Sequence, residues 1–296
     1  MSDSYPVSPS MHNPRVDSSA SAEGAQQRRD PSVLFASHWN QEAWLLHGFS
    51  TRLRGVTRLS SCEDSWGDLN LGYTSNEGAE AVSLNRQRFL SSIATARSSS
   101  RNRFDLVTLK QMHSGLVRRV GREDVGERAS LWGDGLMTDQ PGVWLGIQTA
   151  DCLPILIADR RKQAVAALHA GWRGTLKGIV EQGISSMRRE FGSRPEDLVA
   201  AIGPGIGSCC FAVGEEVERL FAARYSYARQ LFTKEKQLHL NLTEANRRQL
   251  LSAGLSPGSI SSLDLCTSCR TDWFFSYRAE RGKTGRMMAV IGVKPA

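Results

Sequence analysis

The sequence is short of what a membrane-spanning or disulfide-built protein needs. Its longest uninterrupted apolar run, Cys152 to Ala158, is seven residues, whereas a spanning helix takes roughly twenty. Integral insertion through helices is therefore excluded, and no membrane partner is expected. Six cysteines in 296 residues are too sparse for a disulfide framework. No RNP, helix-turn-helix or zinc-finger pattern is present, so no nucleic-acid partner is expected, and no internal repeat is visible. What remains is ordinary globular material: 40% apolar residues, 23% charged residues and a net charge of +7. The positive excess suits an anionic ligand.

Residues 1–30 are rich in serine and poor in large apolar side chains. They cannot bury enough surface to offset the entropy of ordering, so a disordered tail is expected there, followed by one domain over 31–296. The tail has no apolar core for a secretory signal, and its acids Asp3, Asp17, Glu23 and Asp30 outnumber its arginines. A cytoplasmic location follows as an expectation, with reduced thiols.

Apolar patterning predicts strands over Ala43–Phe49, Asp105–Met112, Val143–Thr149, Cys152–Ala158, Ala164–Leu168, Leu198–Ile202, Phe274–Tyr277 and Met287–Val293. It predicts helices over Ala79–Ile93, Thr175–Phe191, Glu215–Tyr225 and Asn241–Leu251. Several strands are apolar throughout, as in sheets buried on both faces. Strands and helices do not alternate strictly, which argues for an α+β domain with mixed sheets under helices rather than a doubly wound fold.

The most informative stretch runs from Thr149 to Gly174, two apolar strands joined by a polar turn. A turn over Asp159–Lys162 sets Cys152 directly across from His169, with Cβ atoms about 4.5–5.5 Å apart. A thiolate and an imidazole so placed can share a zinc ion. Among the other histidines, His12 and His38 lie in or beside the tail and His239 in a polar stretch. His113, at the end of a predicted strand, is the chosen third ligand, and His47 is expected to support the site or contact substrate. Two histidines and one cysteine leave a coordination position open, as catalytic zinc requires. Two plainer alternatives stand beside this one: a buried inert cysteine with core histidines, and a Cys–His nucleophile pair without metal.

Ten segments together resemble one family. They include His47-Gly-Phe-Ser-Thr-Arg52, Asp68-Leu-Asn-Leu-Gly72, Lys110-Gln-Met-His113, Gly133-Asp-Gly-Leu-Met-Thr138 and Thr149-Ala-Asp-Cys-Leu-Pro154. Further on come His169-Ala-Gly-Trp-Arg-Gly-Thr175, Ile202-Gly-Pro-Gly-Ile-Gly207, Cys266-Thr267, Phe274-Phe-Ser-Tyr-Arg278 and Thr284-Gly-Arg286. The chain resembles the YfiH-like family, often labelled laccase domain or multicopper polyphenol oxidase. That resemblance implies a single domain of α/β/β/α layers and a zinc held by His113, Cys152 and His169. It implies purine nucleoside phosphorylase activity on adenosine, inosine, guanosine or methylthioadenosine, with adenosine deaminase activity besides. The expected partners are thus a purine nucleoside and phosphate, for a monomer or weak homodimer. Zinc is expected rather than copper: six histidines without a His-X-His pair cannot hold several copper ions, whereas thiolate and imidazole suit zinc.

Within the matching segments, Arg52, Arg173 and Arg278 are the expected phosphate contacts, because a planar guanidinium grips two oxygens at once. Arg52 ranks first, on a loop between ordered elements. The deaminase signatures His-X-Glu and Pro-Cys-X-X-Cys are absent, so that activity rests on resemblance alone. A Cys–His amide hydrolase acting on cell-wall precursors and a non-catalytic zinc-stabilised interaction protein are the alternative functions. Gly203-Pro-Gly-Ile-Gly-Ser208 lacks the third glycine of a dinucleotide loop. Cys209-Cys210 read as reduced packing residues, and Cys266-Thr-Ser-Cys269 as a lone CxxC without the second pair that a structural zinc would need.

Overall fold

The computed structural model describes residues 32–57, 67–73, 78–97, 105–126 and 131–295; the tail expected to be disordered lies outside them. In chain order the elements are β1 Val33–Leu34, β2 Leu45–Ser50, α1 Ala79–Arg97, β3 Asp105–Val107, β4 Val117–Arg119 and β5 Gly135–Thr138. Then come β6 Val143–Thr149, β7 Leu153–Asp159, β8 Ala164–Ala170, α2 Trp172–Leu176, α3 Ile179–Phe191 and β9 Leu198–Ile202. The chain ends with α4 Glu215–Arg224, β10 Phe232–Lys234, β11 Leu238–Leu240, α5 Leu242–Ser252, β12 Ile260–Ser262 and β13 Met287–Val293.

Two mixed sheets carry the fold, in the orders β1-β2-β13-β6-β3 and β12-β9-β7-β8-β5-β4. Their apolar strands are buried on both faces, and period-2 alternation divides each strand between two cores. Leu156 and Ala158 of β7 and Val165 and Ala167 of β8 meet Leu145, Ile147, Ala289 and Ile291 of the other sheet. The alternate residues Leu153, Ile155, Ile157, Ala166 and Leu168 pack on Ile179, Val180, Ile184 and Met187 of α3. On the far side Trp144, Met288 and Val290 meet Phe89, Leu90 and Ile93 of α1. The result is the α/β/β/α layering that the resemblance implied, with each large apolar side chain contributing about 1.5–3 kcal/mol on burial. Among the described residues no helix is long and apolar enough to cross a membrane.

Three elements differ from expectation. The helix expected over Thr175–Phe191 is two helices, α2 and α3, because Gly178 takes a left-handed φ of 75° between them. The strand expected over Asp105–Met112 ends at Val107, and the rest is loop. Phe274–Tyr277 is not a strand; Phe274 and Phe275 are buried, while Ser276 turns inward to donate to Asp151.

The β7–β8 hairpin shows why the site forms where it does. Asp159 stays in the strand, pairs with Ala164, and its side chain accepts the N–H groups of Arg161 and Lys162. The turn is therefore Arg160–Gln163, one residue later than expected, with Gln163 at φ 50°. His169 consequently faces Pro154 rather than Cys152, and the same register carries Cys152 across to Gly171. A shift of two in the partner preserves the face of every side chain. Cys152 and His169 still point to the space between the sheets, now as diagonal neighbours. That space opens where β6 and β8 end and β7 and β13 begin, since Met287 pairs with Thr149.

Candidate functional site

His113, Cys152 and His169 come together at this opening, with potential ligand atoms all within 4.8 Å of one another. The Cys152 Sγ lies 3.8 Å from His113 Nε2, and the two imidazoles meet edge to face at 5.0 Å between centroids. Each is set by a different device. Cys152 precedes β7, His169 sits on β8, and His113 lies on a loop at φ 58°, a left-handed conformation that histidine tolerates better than most residues. Gly171 makes room: a Cβ there would stand 2.7 Å from the Cys152 sulfur and 3.0 Å from His113 Cδ2.

The organiser of the site is Asp134, to which the sequence reading assigned no role. It is fully buried and its carboxylate collects the loop around it. The backbone N–H groups of Met112, His113 and Ser114 and the Ser114 hydroxyl all donate to it. His169 Nδ1 lies 2.8 Å from Asp134 Oδ1. Surrounded by donors, the carboxylate is ionised and accepts Nδ1–H, which leaves His169 Nε2 for a metal. Burial opposes that charge, yet the hydrogen bonds from His169 and Ser114 hold the carboxyl well below its usual range. In the metal-free site, burial raises the Cys152 thiol but the facing His169 and His113 outweigh it, bringing it down to about 6. Burial likewise opposes charge on His169, while the Cys152 thiolate and Asp134 raise it to about 9. Together the two shifts describe a thiolate–imidazolium pair at neutral pH: the thiolate is the form that binds metal, and a metal would displace the proton on His169 Nε2.

A second clamp is Gln111. Its amide donates to the Gln148 carbonyl and accepts the Gln148 N–H, as a neighbouring strand would. It ties the His113 loop to β6 where β3 has already ended. Asp151, beside Cys152 in sequence, also borders the cleft and accepts from Thr267, Ser276 and the Arg278 backbone N–H. These bonds tie the two loops to the start of β7.

The three ligands border a cleft of about 720 Å³. Of the expected phosphate contacts, Arg173 and Arg278 line it, and so does Arg286, which the sequence reading quoted only as part of a motif. Arg173 lies over the Trp172 ring, the Arg278 guanidinium donates to the Ala212 carbonyl, and Arg286 donates to the Thr284 and Gly285 carbonyls. Among the described residues none of these three pairs with a carboxylate. Burial lowers the Arg286 pKa, and the attraction of Tyr277, Cys152 and Asp151 only partly offsets it.

Arg52 and His47 lie elsewhere, and both expectations are corrected. Arg52 is buried, donates to Asp68 at 2.8 Å and Glu280 at 3.2 Å, and does not line the cleft. Two carboxylates already neutralise it, so it braces loops instead of binding phosphate. Arg52→Met is expected to lower stability by about 3 kcal/mol, the cost of stranding buried partner charges, while leaving phosphate affinity intact. Thermal melts and phosphate KM together check this. His47 is fully buried on β2, accepts the Ala36 N–H through Nε2 at 3.0 Å and packs on Trp39. It is a core histidine packed between the two sheets, on the same face of β2 as Leu45 and Phe49, and it does not line the cleft.

The sequence pattern of the family described as "Multi-copper polyphenol oxidoreductase laccase" matches residues 46–294. The chain is similar to the purine nucleoside phosphorylase YlmD of Bacillus subtilis (strain 168), with 32% identity over 90% of this chain and 96% of that protein. It is similar to the purine nucleoside phosphorylase YfiH of Escherichia coli (strain K12), with 33% identity over 88% of this chain and 98% of that one. Among solved structures it resembles that of the Bacillus licheniformis hypothetical protein YfiH, with a TM-score of 0.77, 34% identity, and 90% and 97% of the two chains covered.

Proposed function

The chain belongs to the family described as multi-copper polyphenol oxidoreductase laccase, and from that premise we propose that it is a zinc-dependent purine nucleoside phosphorylase with a side adenosine deaminase activity. The observation that carries the reading is a cleft lined by three arginines that, among the described residues, form no ion pair with a carboxylate, beside two histidines and a cysteine placed to hold a metal. The names of the YlmD and YfiH relatives point the same way. A multicopper oxidase is disfavoured by the donors: among the described residues one group of potential metal ligands contains histidine, and it has two.

The residues fit a zinc ion. His113, Cys152 and His169 would hold it, the nitrogen and sulfur donors match its preference, and Asp134 orients His169 for it. Bound there, zinc supplies Lewis-acid polarisation of a substrate oxygen or nitrogen. The chain's own residues do the rest. Arg173, Arg278 and Arg286 bind phosphate and aim an oxygen at C1′ of the ribose; the C1′–oxygen bond forms as the bond to the purine nitrogen breaks. Fixing both reactants replaces a bimolecular encounter by an oriented one. Phe211 and Tyr277, which line the same cleft, offer aromatic faces to the purine.

Incubation with adenosine, with and without phosphate, followed by chromatography, tests the reading. Adenine formed only with phosphate supports phosphorolysis, and inosine in both reactions supports deamination. Neither product from folded, zinc-loaded protein overturns the proposal. Arg286→Ala is expected to raise the KM for phosphate about 30-fold, corresponding to a lost charge-assisted contact of about 2 kcal/mol, with a smaller effect on the KM for nucleoside. Steady-state kinetics with phosphate varied at saturating nucleoside measures it.

One observation favours a second reading: the Cys152 sulfur beside imidazoles, one of them held by a buried carboxylate, is also the layout of a cysteine hydrolase. That reading requires amide hydrolysis that survives chelation and is lost on thiol alkylation.

A further inference from the structure

Away from the cleft ligands, four cysteines converge. Cys209, Cys210, Cys266 and Cys269 present sulfurs all within 4.8 Å of one another. Sγ of Cys269 is 3.5 Å from that of Cys209 and 3.4 Å from that of Cys210. All four are free thiols. Cys209 and Cys210 are neighbours in sequence and would point apart in a strand, but here they lie in a turn and face the same partner. This turn supplies the second pair that the CxxC lacked as a sequence.

We propose that these four cysteines form a second, structural zinc site, closed by four thiolates. A tetrahedron with Zn–S bonds of about 2.3 Å has edges of about 3.8 Å, close to the observed spacing. The local backbone suits thiolate. The Gly207 N–H donates to the Cys266 sulfur at 3.2 Å, and the Cys269 N–H also points to it, so the first cysteine of the CxxC turn carries two donors. Gly207 leaves the space, since a Cβ there would sit 3.1 Å from the Cys209 sulfur and 3.4 Å from that of Cys266. On binding, four Zn–S bonds form, the thiol protons pass to solvent, and nothing is oxidised or reduced.

The site joins two loops sixty residues apart in sequence. The first carries Ile206 and Phe211 into the cleft wall, and its Ala212 carbonyl holds Arg278. The second carries Thr267, which donates to Asp151 next to Cys152. A metal crosslink between them fixes one wall of the cleft, and it closes a long loop, where a crosslink removes the most chain entropy.

The test is zinc content by mass spectrometry of full-length protein purified under reductant, for the wild type, Cys269→Ser, Cys152→Ala and the double variant. Two zinc ions per chain in the wild type, one in each single variant and none in the double support the site. Equal zinc in Cys269→Ser and the wild type overturns it, whatever the result for Cys152→Ala, so failure here is distinct from failure of the cleft site. Should Cys269→Ser not fold, cobalt loading of Cys152→Ala is decisive. Intense sulfur-to-cobalt charge-transfer absorption supports four-thiolate binding, and a spectrum of aqueous cobalt overturns it.

Discussion

Cys152→Ala is expected to lose turnover by about 10³-fold or more, equivalent to about 4 kcal/mol of barrier, together with the metal held by His113 and His169. The sulfur is the one anionic donor of the three and lies between the two imidazoles. Without it, two neutral nitrogens remain, one on an exposed loop residue, too few to hold zinc in competition with water. The fold should survive, because Cys152 stands before the start of β7 and its removal opens space toward solvent, not in the core. Phosphorolysis rates, metal content and a thermal melt on one preparation check all three. A variant that keeps its metal and full activity sinks the assignment of the site.

Asp134→Asn is expected to do damage of a different kind, on metal affinity and stability together. The wild-type carboxylate accepts from three backbone N–H groups, a hydroxyl and His169. An amide of the same shape turns one acceptor into a donor and aims it at donors. Metal affinity should fall about 10–100-fold, the usual effect of losing the partner that orients a ligating histidine. Stability should fall by about 3 kcal/mol, from buried donors left without an acceptor. The pH dependence distinguishes this from a generic packing defect. Because the folded carboxyl is held below its ordinary value, its stabilisation is complete above the unfolded carboxylate range and disappears only as pH falls through the folded value. The gap between wild type and variant should therefore stay constant between about pH 5 and 7 and close in acid. Denaturant titrations at several pH values measure the gap, and a gap unchanged into strong acid contradicts the role given to the carboxylate.

The strands were readable because their patterning is strong. Val143–Thr149, Leu198–Ile202 and Met287–Val293 have the bounds that apolar runs predicted. The hairpin was readable to within one residue of turn. The miss came from Asp159, whose side chain bonds the turn amides from inside the strand, where a polar residue reads as loop. The face of Cys152 survived the error only because the shift was even. His113, expected at the end of a strand, lies instead on a loop wrapped around Asp134.

The sequence by itself determined the α+β class, the placing of Cys152 and His169 on one face of a hairpin, though not their exact register, and the resemblance to one family, since these rest on periodicity and on motifs of residues close in the chain. Tertiary structure alone decided which arginines are available to an anion. Arg52 and Arg286 look alike in a motif, but only the fold brings Asp68 and Glu280 into ion pairs with the first, while the second, among the described residues, bonds backbone carbonyls instead. It also decided that Asp134 governs the metal loop and that Cys209 and Cys210 meet Cys266 and Cys269. Each of these depends on groups twenty to more than two hundred residues apart, and the free energy of a charge or a thiolate is set by what lies within a few ångströms in space, whatever the distance along the chain.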